Sequence, residues 1–484
     1  MLIEAAILIP AIGAVLIGIT NRQPNLREAI TLVSAVSMFV VVCQIYLALN
    51  SGNILAVEIL EVVPGISLAF AVEPLGMLFA LLASFLWIIT SIYSIGYMRH
   101  NQEQNQTRFY VCFALALSTT MGLALSANMF TLFVFYELLT LTTYPLVTHS
   151  GTDEAKRSGR VYLGILLGTS IGLQLLAIVW TWTITGTLDF TEGGILAGNA
   201  SATVVAILFA LYLFGTGKAA LMPFHRWLPA AMVAPTPVSA LLHAVAVVKA
   251  GVFTVLKVTV YIFGIDLLAT TGANNLLIYV AITTILIASL IALSKDNLKA
   301  RLAYSTVSQL SYVVLAAVLI APLSIVGAGL HIAFHAFGKI TLFFAAGSIY
   351  TATKKKNISQ LDGIGRRMPW TMLAFSIGSL SMIGLPPTAG FISKWYILSG
   401  AIQVEHMGAI IAIIISTLLN AAYFLPIVYV AFFKQPAAGE STEYTEAPMP
   451  ILIALAVTSL ATLMLFFIPD IPLHLSQSLI QELP

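Results

Sequence analysis

The chain has 484 residues, of which 59% are hydrophobic and 9% are charged, and its formal net charge is +2 at pH 7. Soluble domains carry about 25% charged residues, so this composition excludes a soluble globular protein and predicts an integral membrane protein in contact with the lipid bilayer. The basic residues are spread over many loops, which argues against nucleic-acid binding. Cys43 and Cys112 lie in separate apolar segments without zinc-site or disulfide spacing, and we expect no metal and no cofactor in this chain.

Apolar runs of spanning length predict an all-α integral membrane fold with about fourteen transmembrane helices. The first run follows Glu4 closely and has no basic leader, so we expect a retained helix and no cleaved signal peptide. The last helix is followed by a short tail, and we expect no extramembrane domain. In chain order, the predicted helices lie near 2–20, 29–49, 73–98, 109–127, 129–148, 161–184, 203–232, 237–263, 275–294, 302–320, 325–351, 370–400, 408–433 and 449–468.

The distribution of lysine and arginine over the loops predicts the orientation. Seventeen of the 22 basic residues fall in loops on one side, which we call the basic side, at positions such as Arg22, Arg99, Lys156, Lys295 and Lys354. Loops on the opposite side, the acidic side, carry acids such as Glu58, Asp189 and Glu405 instead. The positive-inside rule then places the basic side in the cytoplasm and both termini outside a prokaryotic cell membrane.

Nine ionisable residues fall inside the predicted helices, where lipid disfavours them. A lysine at the bilayer centre costs roughly 2.5–3.5 kcal/mol on insertion scales, so structure alone rarely explains such residues. Glutamate, lysine and histidine together are the residue types that a proton relay needs. The nine residues are Glu137, Lys218, His243, Lys249, Lys257, His331, His335, Lys339 and Lys394.

The spacing within HIAFHAFGK supports a relay. His331, His335 and Lys339 recur every fourth residue, which places them on one stripe of a helix in steps of about 6 Å. His243 and Lys249 lie about 9 Å apart along another helix, although a helix–helix hydrogen bond is an equal alternative for His243. Lys257 lies nearer the outer end, and we expect it to snorkel to the headgroups and take no part in the relay.

Two predicted helices contain prolines at mid-depth. Pro223 and Pro229 interrupt the helix at 203–232, and Pro386 and Pro387 interrupt the helix at 370–400. Proline frees backbone carbonyls, which membranes tolerate only against protein or water. Because the two broken helices are the seventh and the twelfth, five positions apart, and each has a lysine nearby, we predict two inverted five-helix repeats. The expected division is 1–108 for helices 1–3, 109–263 for the first half-channel, 275–433 for the second, and 449–484 for the last helix and tail.

Five strings give the chain a family resemblance: FVFYELLTLTTYPLV, GKAALMPFHRWLPAAMVAPTPVSALLHAVAVVKAG, SKDNLKARLAYSTVSQLSYV, HIAFHAFGKITLFFAAGS and GLPPTAGFISKW. They resemble the antiporter-like subunits shared by respiratory complex I, Mrp-type cation/proton antiporters and membrane-bound hydrogenases. The resemblance implies two half-channels in which Glu137 and Lys218 form a pair that tunes proton affinity. It also implies that Lys249 passes protons to the centre, that His331, His335 and Lys339 connect the halves, and that Lys394 serves the exit.

The resemblance leaves the parent complex open. The length fits the D-type chain of Mrp antiporters or its hydrogenase counterpart, whereas His243 and the two-histidine stripe are more similar to the largest antiporter-like subunit of complex I. We predict a proton-translocating subunit of an Mrp-type Na⁺/H⁺ antiporter that works with other membrane subunits. The alternatives are a proton-pumping subunit of a complex I-related or hydrogenase complex, whose redox centres would lie in partner chains, and a stand-alone solute carrier.

Overall fold

The computed structural model describes residues 1–436 and 443–481, which form a multi-pass helical membrane bundle. Eleven helices in these residues are long and apolar enough to cross a membrane, and this confirms the predicted fold class. The three other predicted spans coincide with α8, α14 and the pair α17–α18 as defined below. These three are short, rich in hydroxyl groups or interrupted, so they fall below the length and hydropathy of an ordinary span.

The elements follow in chain order, with two strands between the second and third helices. The first part contains α1 (Leu2–Ile19), α2 (Pro24–Asn50), β1 (Ala56–Val63), β2 (Ile66–Ala71), α3 (Pro74–His100), α4 (Gln106–Ala124), α5 (Met129–Val147), α6 (Asp153–Thr169), α7 (Leu175–Thr185), α8 (Ala202–Gly215), α9 (Trp227–Ala230), α10 (Thr236–Ala240) and α11 (Val247–Lys257). The second part contains α12 (Ile265–Thr271), α13 (Asn275–Ser294), α14 (Leu298–Val318), α15 (Pro322–Thr353), α16 (Ile364–Arg367), α17 (Pro369–Ile383), α18 (Ala389–Gln403), α19 (Met407–Phe433), α20 (Met449–Phe467) and α21 (Asp470–Gln481).

Helix starts follow from local capping. The side chains of Asn128, Thr152 and Asn297 each accept a hydrogen bond from the backbone N–H three residues later, and so satisfy a donor that the helix leaves free. Three π-helical turns adjoin the helices, and such turns often occur at functional sites. They comprise Ser170–Gln174, Leu241–Val245 and Val258–Phe263.

The centre of the bundle is formed by α15 and the segment that runs from α10 to Phe263. In the most apolar stretch of α15, 94% of the residues are buried, and in that of the α10–Phe263 segment all of them are. In α1 and α20 only 33% of the residues of the corresponding stretch are buried. Helix α15 packs against α3, α14, α17, α18 and α20. The two segments that carry His243, Lys249 and the HIAFHAFGK stripe are therefore the most enclosed parts of the molecule.

A β-hairpin corrects the expectation of an all-helical chain. Strands β1 and β2 pair in antiparallel register from Ala56 with Ala71 to Val63 with Ile66, around a turn in which Gly65 has φ +81°. The hairpin lies against the acidic-side end of α5, where Asn128 donates to the Ser67 carbonyl at 2.8 Å. A Pro-Gly turn between β-branched runs was the signal for it in the sequence.

Three short helices were also missed. Helix α12 follows Gly264 on the acidic side, α16 lies in the loop between α15 and α17, and α21 lies in the segment predicted as a short tail. Helix α21 packs against α3 and α15, and its side chains Leu475 and Leu479 are buried. All three helices are shorter than a membrane span, so a search for long apolar runs does not detect them.

Both predicted helix breaks are present. Helix α8 ends at Gly215, and a 3₁₀ turn, Gly217–Ala219, carries Lys218. Helix α17 ends at Ile383, and α18 begins at Ala389 after a turn that contains Pro386 and Pro387. The division of the chain into two inverted repeats stays a prediction, although the two breaks occupy the positions it requires.

The close approach of α17 and α18 generates a prediction about Gly390. A Cβ added there would collide with the Ser381 carbonyl oxygen, which belongs to the neighbouring helix. We expect Gly390→Ala to destabilise the fold by about 1–3 kcal/mol, the usual range for overpacking. The measurement is the thermal unfolding midpoint of the purified protein in detergent.

Gly164→Ala is the matched control, because Gly164 is also helical and a Cβ there meets nothing within 4 Å. We expect it to raise stability slightly, by about 0.4–1 kcal/mol. An unchanged midpoint for Gly390→Ala would contradict the close packing at the second break.

Candidate functional site

Lys218 is held inside the bundle at the first helix break. Its side chain is fully buried, and its Nζ donates to the Tyr136 carbonyl at 2.7 Å and to Thr140 Oγ1 at 2.6 Å. The same nitrogen lies 3.2 Å from the centroid of the Tyr136 ring, a cation–π position. Helix α5 therefore supplies every one of these contacts to Lys218. Tyr136, which makes two of them, is the residue before Glu137.

Glu137 is not in an ion pair with Lys218. Both carboxylate oxygens are buried, and neither has a hydrogen-bond partner within the ranges that the structure covers. An unsatisfied buried carboxylate is costly, so Glu137 must be protonated or accept a hydrogen bond from water or from a lysine. The predicted pairing with Lys218 stays a prediction, and Tyr136 and Thr140 are the partners of Lys218 in this state.

Lys249 forms the link between the two halves of the chain. It is fully buried on α11, and its Nζ lies 2.7 Å from Nδ1 of His335 on α15. Helix α11 comes close to the Lys218 turn because Gly251 has no Cβ, which would otherwise collide with the Lys218–Ala219 backbone. The sequence placed Lys249 and His335 on separate predicted helices, and the fold brings them into direct contact.

From His335 the polar groups continue along α15. The rings of His331 and His335 stack with their centroids 5.7 Å apart, as the spacing of four residues predicts. Nδ1 of His331 lies 2.9 Å from Ser393 Oγ, and its Nε2 lies 3.1 Å from Gln309 Oε1. Both ring nitrogens of His331 are thus engaged, one with α18 and the other with α14.

Lys394 lies at the second helix break and uses the carbonyls that the break sets free. Its Nζ donates to the Met382 carbonyl at 2.7 Å and to the Ile383 carbonyl at 3.0 Å. The Met382 carbonyl also accepts from Gln309 Nε2 at 3.2 Å. Because Gln309 also contacts His331, one amide side chain and one backbone carbonyl connect His331 with Lys394.

Lys339 and His243 lie beside this line and not within it. Lys339 is fully buried and donates to the hydroxyl of Ser305 on α14. His243 lies in the π-helical turn before α11 with its ring 4.8 Å from that of Phe343. Neither ring nitrogen of His243 has a hydrogen-bond partner among residues 1–436 and 443–481, so the structure gives no support to a helix–helix hydrogen bond there.

Several polar residues of the site were not singled out from the sequence. Gln309, Ser305 and Ser393 make direct contacts with the predicted relay groups. The signal was the density of polar residues on α14, where Ser305 and Gln309 are four residues apart and therefore share a face.

Lys257 does not snorkel, and this prediction is wrong. The side chain is fully buried, pairs with the carboxylate of Glu73 and donates to the Ser126 carbonyl at 2.8 Å. Its Nζ also lies 4.0 Å from the centroid of the Phe190 ring. The physical reason is that Glu73, which follows β2, together with Ser126 and Phe190 encloses the ammonium group at the end of α11.

Two family models match the chain. The one described as "NADH:quinone oxidoreductase/Mrp antiporter, TM" matches residues 126–420, more than half of the chain. It includes every predicted relay residue from Glu137 to Lys394. The chain is a member of the antiporter-like subunit family. A second model, "NADH-Ubiquinone oxidoreductase (complex I), chain 5 N-terminus", matches residues 64–110.

Curated relatives of this antiporter-like subunit are named as subunits of quinone oxidoreductases. This chain is 31% identical over 400 residues to "NADH-quinone oxidoreductase subunit N" of Desulforudis audaxviator, covering 80% of this chain and 77% of that protein. It is 31% identical over 440 residues to the chloroplast "NAD(P)H-quinone oxidoreductase subunit 5" of Chara vulgaris, covering 84% of this chain and 64% of that protein. The chain spans only about half the length of other subunit 5 relatives.

Two solved structures share the fold of the antiporter-like subunit over nearly its whole length. A chain of an archaeal membrane-bound sulfane sulfur reductase superposes with a TM-score of 0.89 at 23% identity, covering 99% of this chain and 97% of that one. A chain of the Mrp complex from a Dietzia species superposes with a TM-score of 0.86 at 20% identity, covering 100% and 98%. At these identities the likeness concerns the fold alone.

The buried Glu73–Lys257 pair generates a prediction about stability. Removing one partner leaves the other charge buried and unpaired, which typically costs about 3–5 kcal/mol. We expect Lys257→Met to lower the thermal unfolding midpoint strongly. We expect the double variant with Glu73→Gln to recover a large part of that loss, because no unpaired charge then remains.

The exposed pair of Lys156 and Asp153, 3.8 Å apart, is the control. Lys156→Met should change stability by less than about 1 kcal/mol, as is usual for surface ion pairs. Equal midpoints for the single and double variants at Lys257 would contradict the cost assigned to the unpaired Glu73 charge.

Proposed function

We propose that this chain is the proton-translocating subunit of an Mrp-type Na⁺/H⁺ antiporter, in which protons move along the buried glutamate, lysine and histidine residues. The observation that carries the proposal is the contact of 2.7 Å between Lys249 Nζ and His335 Nδ1. It joins the groups on the first-half helices to those on the second. Such buried groups within a membrane are expected at ion paths.

The relay runs from Glu137 and Lys218 through Lys249, His335 and His331 to Lys394. Lys339 and His243 lie beside it and adjust its electrostatics or feed it. Protonation of one buried group disfavours a second positive charge nearby, since Coulomb interactions are strong where water is scarce. A charge at Lys218 therefore changes the proton affinity of Lys249, and the effect passes on toward Lys394.

Support for the Mrp type comes from the family model over residues 126–420, whose description includes Mrp antiporters. In this proposal the chain assembles with other membrane subunits in a prokaryotic cell membrane, with its basic side in the cytoplasm, both termini outside and Na⁺ carried through partner subunits. The segregation of basic residues supports that orientation.

The second candidate is a proton-pumping subunit of a redox complex related to complex I or hydrogenases. The curated relatives, which are quinone oxidoreductase subunits, favour it. Both candidates use the same relay and differ in the driving reaction. Vesicles that contain the native complex distinguish them, because an antiporter exchanges Na⁺ for protons without an electron donor and a redox pump requires one.

The relay itself is tested by Glu137→Ala and Lys218→Ala in the whole complex. Each change removes one ionisable group from the buried path, so we expect proton exchange in vesicles to be lost while all subunits still co-purify. Lys156→Ala, at an exposed side chain on the basic side, is the control and should exchange normally. Full exchange in either relay variant would remove the basis for the proposal.

A further inference from the structure

An apolar groove lies on the outer surface of the bundle between α17 and α20. Its volume is ≈ 280 Å³, and it begins near the basic side, where Trp370 on α17 and Leu452 on α20 line it. Nine of its ten lining side chains are apolar, and the tenth, Ser459, donates its hydroxyl to the Ala456 carbonyl of its own helix at 3.1 Å. The groove therefore offers an occupant a surface that is almost entirely hydrocarbon.

The groove is about as long as one leaflet of a bilayer. Its lining on α20 extends from Leu452 to Leu463, which is about 16 Å along the helix axis. The hydrocarbon core of a bilayer is about 30 Å thick, so one leaflet contributes about 15 Å. Three residues beyond Leu463, Phe466 contacts Phe391 of α18, with ring centroids 6.2 Å apart. An acyl chain of one leaflet matches this length, whereas a partner transmembrane helix would need a surface along the whole span.

The groove belongs to the half of the broken helix that lies on the basic side. Its lining on α17 extends from Trp370 to Ile377, and α17 ends at Ile383. The last carbonyls of α17 hold Lys394 at the break. An occupant of the groove therefore packs on the helix segment that supplies the partners of Lys394.

Two arginines lie at the basic-side end of the groove. Arg366 and Arg367 end α16, one residue before α17 begins, and Arg367 is three residues before Trp370. Nε of Arg367 has no hydrogen-bond partner in the described part of the chain, and Arg366 uses Nη1 to donate to Gln435 Oε1 at 2.9 Å. Guanidinium groups bind phosphate through charge-assisted hydrogen bonds, so these two side chains can take an anionic headgroup.

The acidic residues near these arginines have partners of their own. Asp362 lies 3.4 Å from Nζ of Lys434. The carboxylate of Glu446 accepts hydrogen bonds from two backbone N–H groups in the first turn of α17 and from the hydroxyl of Thr371. Glu443 also has an interaction partner. Because these carboxylates are engaged, the positive charge of the two arginines is available to a phosphate.

We propose that this groove binds one acyl chain of an anionic phospholipid from the basic-side leaflet, with the phosphate against Arg366 and Arg367. The chain lies between α17 and α20, and the headgroup stays at the surface beside Trp370, a residue type that is enriched at bilayer interfaces. The lipid thus supports the half of the broken helix that holds Lys394. Its binding does not depend on the driving reaction of transport, so the proposal stands apart from the proposed function.

Trp370 can report on the occupant, because its side chain is 63% exposed and lines the groove. The native complex is reconstituted in phosphatidylcholine vesicles that contain a minor fraction of a phospholipid with brominated chains, since bromine quenches a tryptophan that it touches. The fluorescence that Trp370→Phe removes belongs to Trp370. The measured quantity is the quenching of Trp370 by brominated phosphatidylglycerol divided by its quenching by the same fraction of brominated phosphatidylcholine. We expect a ratio several-fold above one, because the anionic lipid is concentrated at the site.

Trp395 is the comparison within the same chain, because it is 57% exposed on α18 and does not line the groove. Its contribution is obtained in the same way with Trp395→Phe, and its ratio should be close to one. Equal ratios at Trp370 and Trp395 would overturn the proposal. A Trp370 signal that neither lipid quenches would also overturn it, because a partner subunit and not a lipid would then cover the groove.

The chain and headgroup parts of the site are tested separately. Ala456→Phe fills the groove and should lower the Trp370 ratio to about one. Its control is Ile453→Phe, at a side chain of the same helix that is 45% exposed and lies outside the groove lining, and this variant should keep the ratio of the unmodified complex. An unchanged ratio in Ala456→Phe would contradict the position of the chain.

The headgroup part is tested by Arg366→Gln combined with Arg367→Gln. This double variant should lose the preference for phosphatidylglycerol while both brominated lipids still quench Trp370, because the apolar groove is intact. Arg22→Gln, at an exposed arginine of another basic-side loop, is the control and should keep the preference. A preserved preference in the double variant would overturn the assignment of the phosphate to the two arginines.

Discussion

The contact between Lys249 and His335 is the interaction on which the arrangement of the buried polar groups depends. It is a direct side-chain link between α11 and α15, the two most enclosed parts of the bundle. Charged groups in an apolar interior are tolerated only when each finds a partner. This pair gives Lys249 a partner in Nδ1 of His335, whereas Nε2 of His335 has no hydrogen-bond partner among the described residues.

At the two helix breaks, the other two buried lysines of the relay, Lys218 and Lys394, find hydrogen-bond partners. At the second break, Lys394 is held by backbone carbonyls that an intact α17 would have used itself. At the first break, Lys218 is held by the carbonyl and ring of Tyr136 and by a threonine hydroxyl. Neither lysine forms a salt bridge with any residue that the structure describes, so each can lose its proton without leaving a partner carboxylate unpaired.

Much of this could be predicted from the sequence, because lipid imposes simple rules. The length of the apolar runs predicted the spanning helices, and the prolines predicted both helix breaks. The spacing of four residues predicted that His331 and His335 lie on one face of their helix. The Lys249–His335 contact could not be predicted, since spacing within a helix says nothing about which helices are neighbours. Lys257 was misjudged for a related reason: spacing along α11 does not show that Glu73 and Ser126 from other parts of the chain contact its ammonium group.

The central claim is that buried polar groups form one hydrated path from Lys218 to Lys394. The most direct measurement is an electron cryo-microscopy structure of the native complex at a resolution that shows ordered water. The account predicts water molecules bridging Lys218 to Lys249, and from there the groups continue through the Lys249–His335 contact, the stacked rings of His335 and His331, and Gln309 toward Lys394. A dry gap filled by apolar side chains between Lys218 and Lys249 would contradict it.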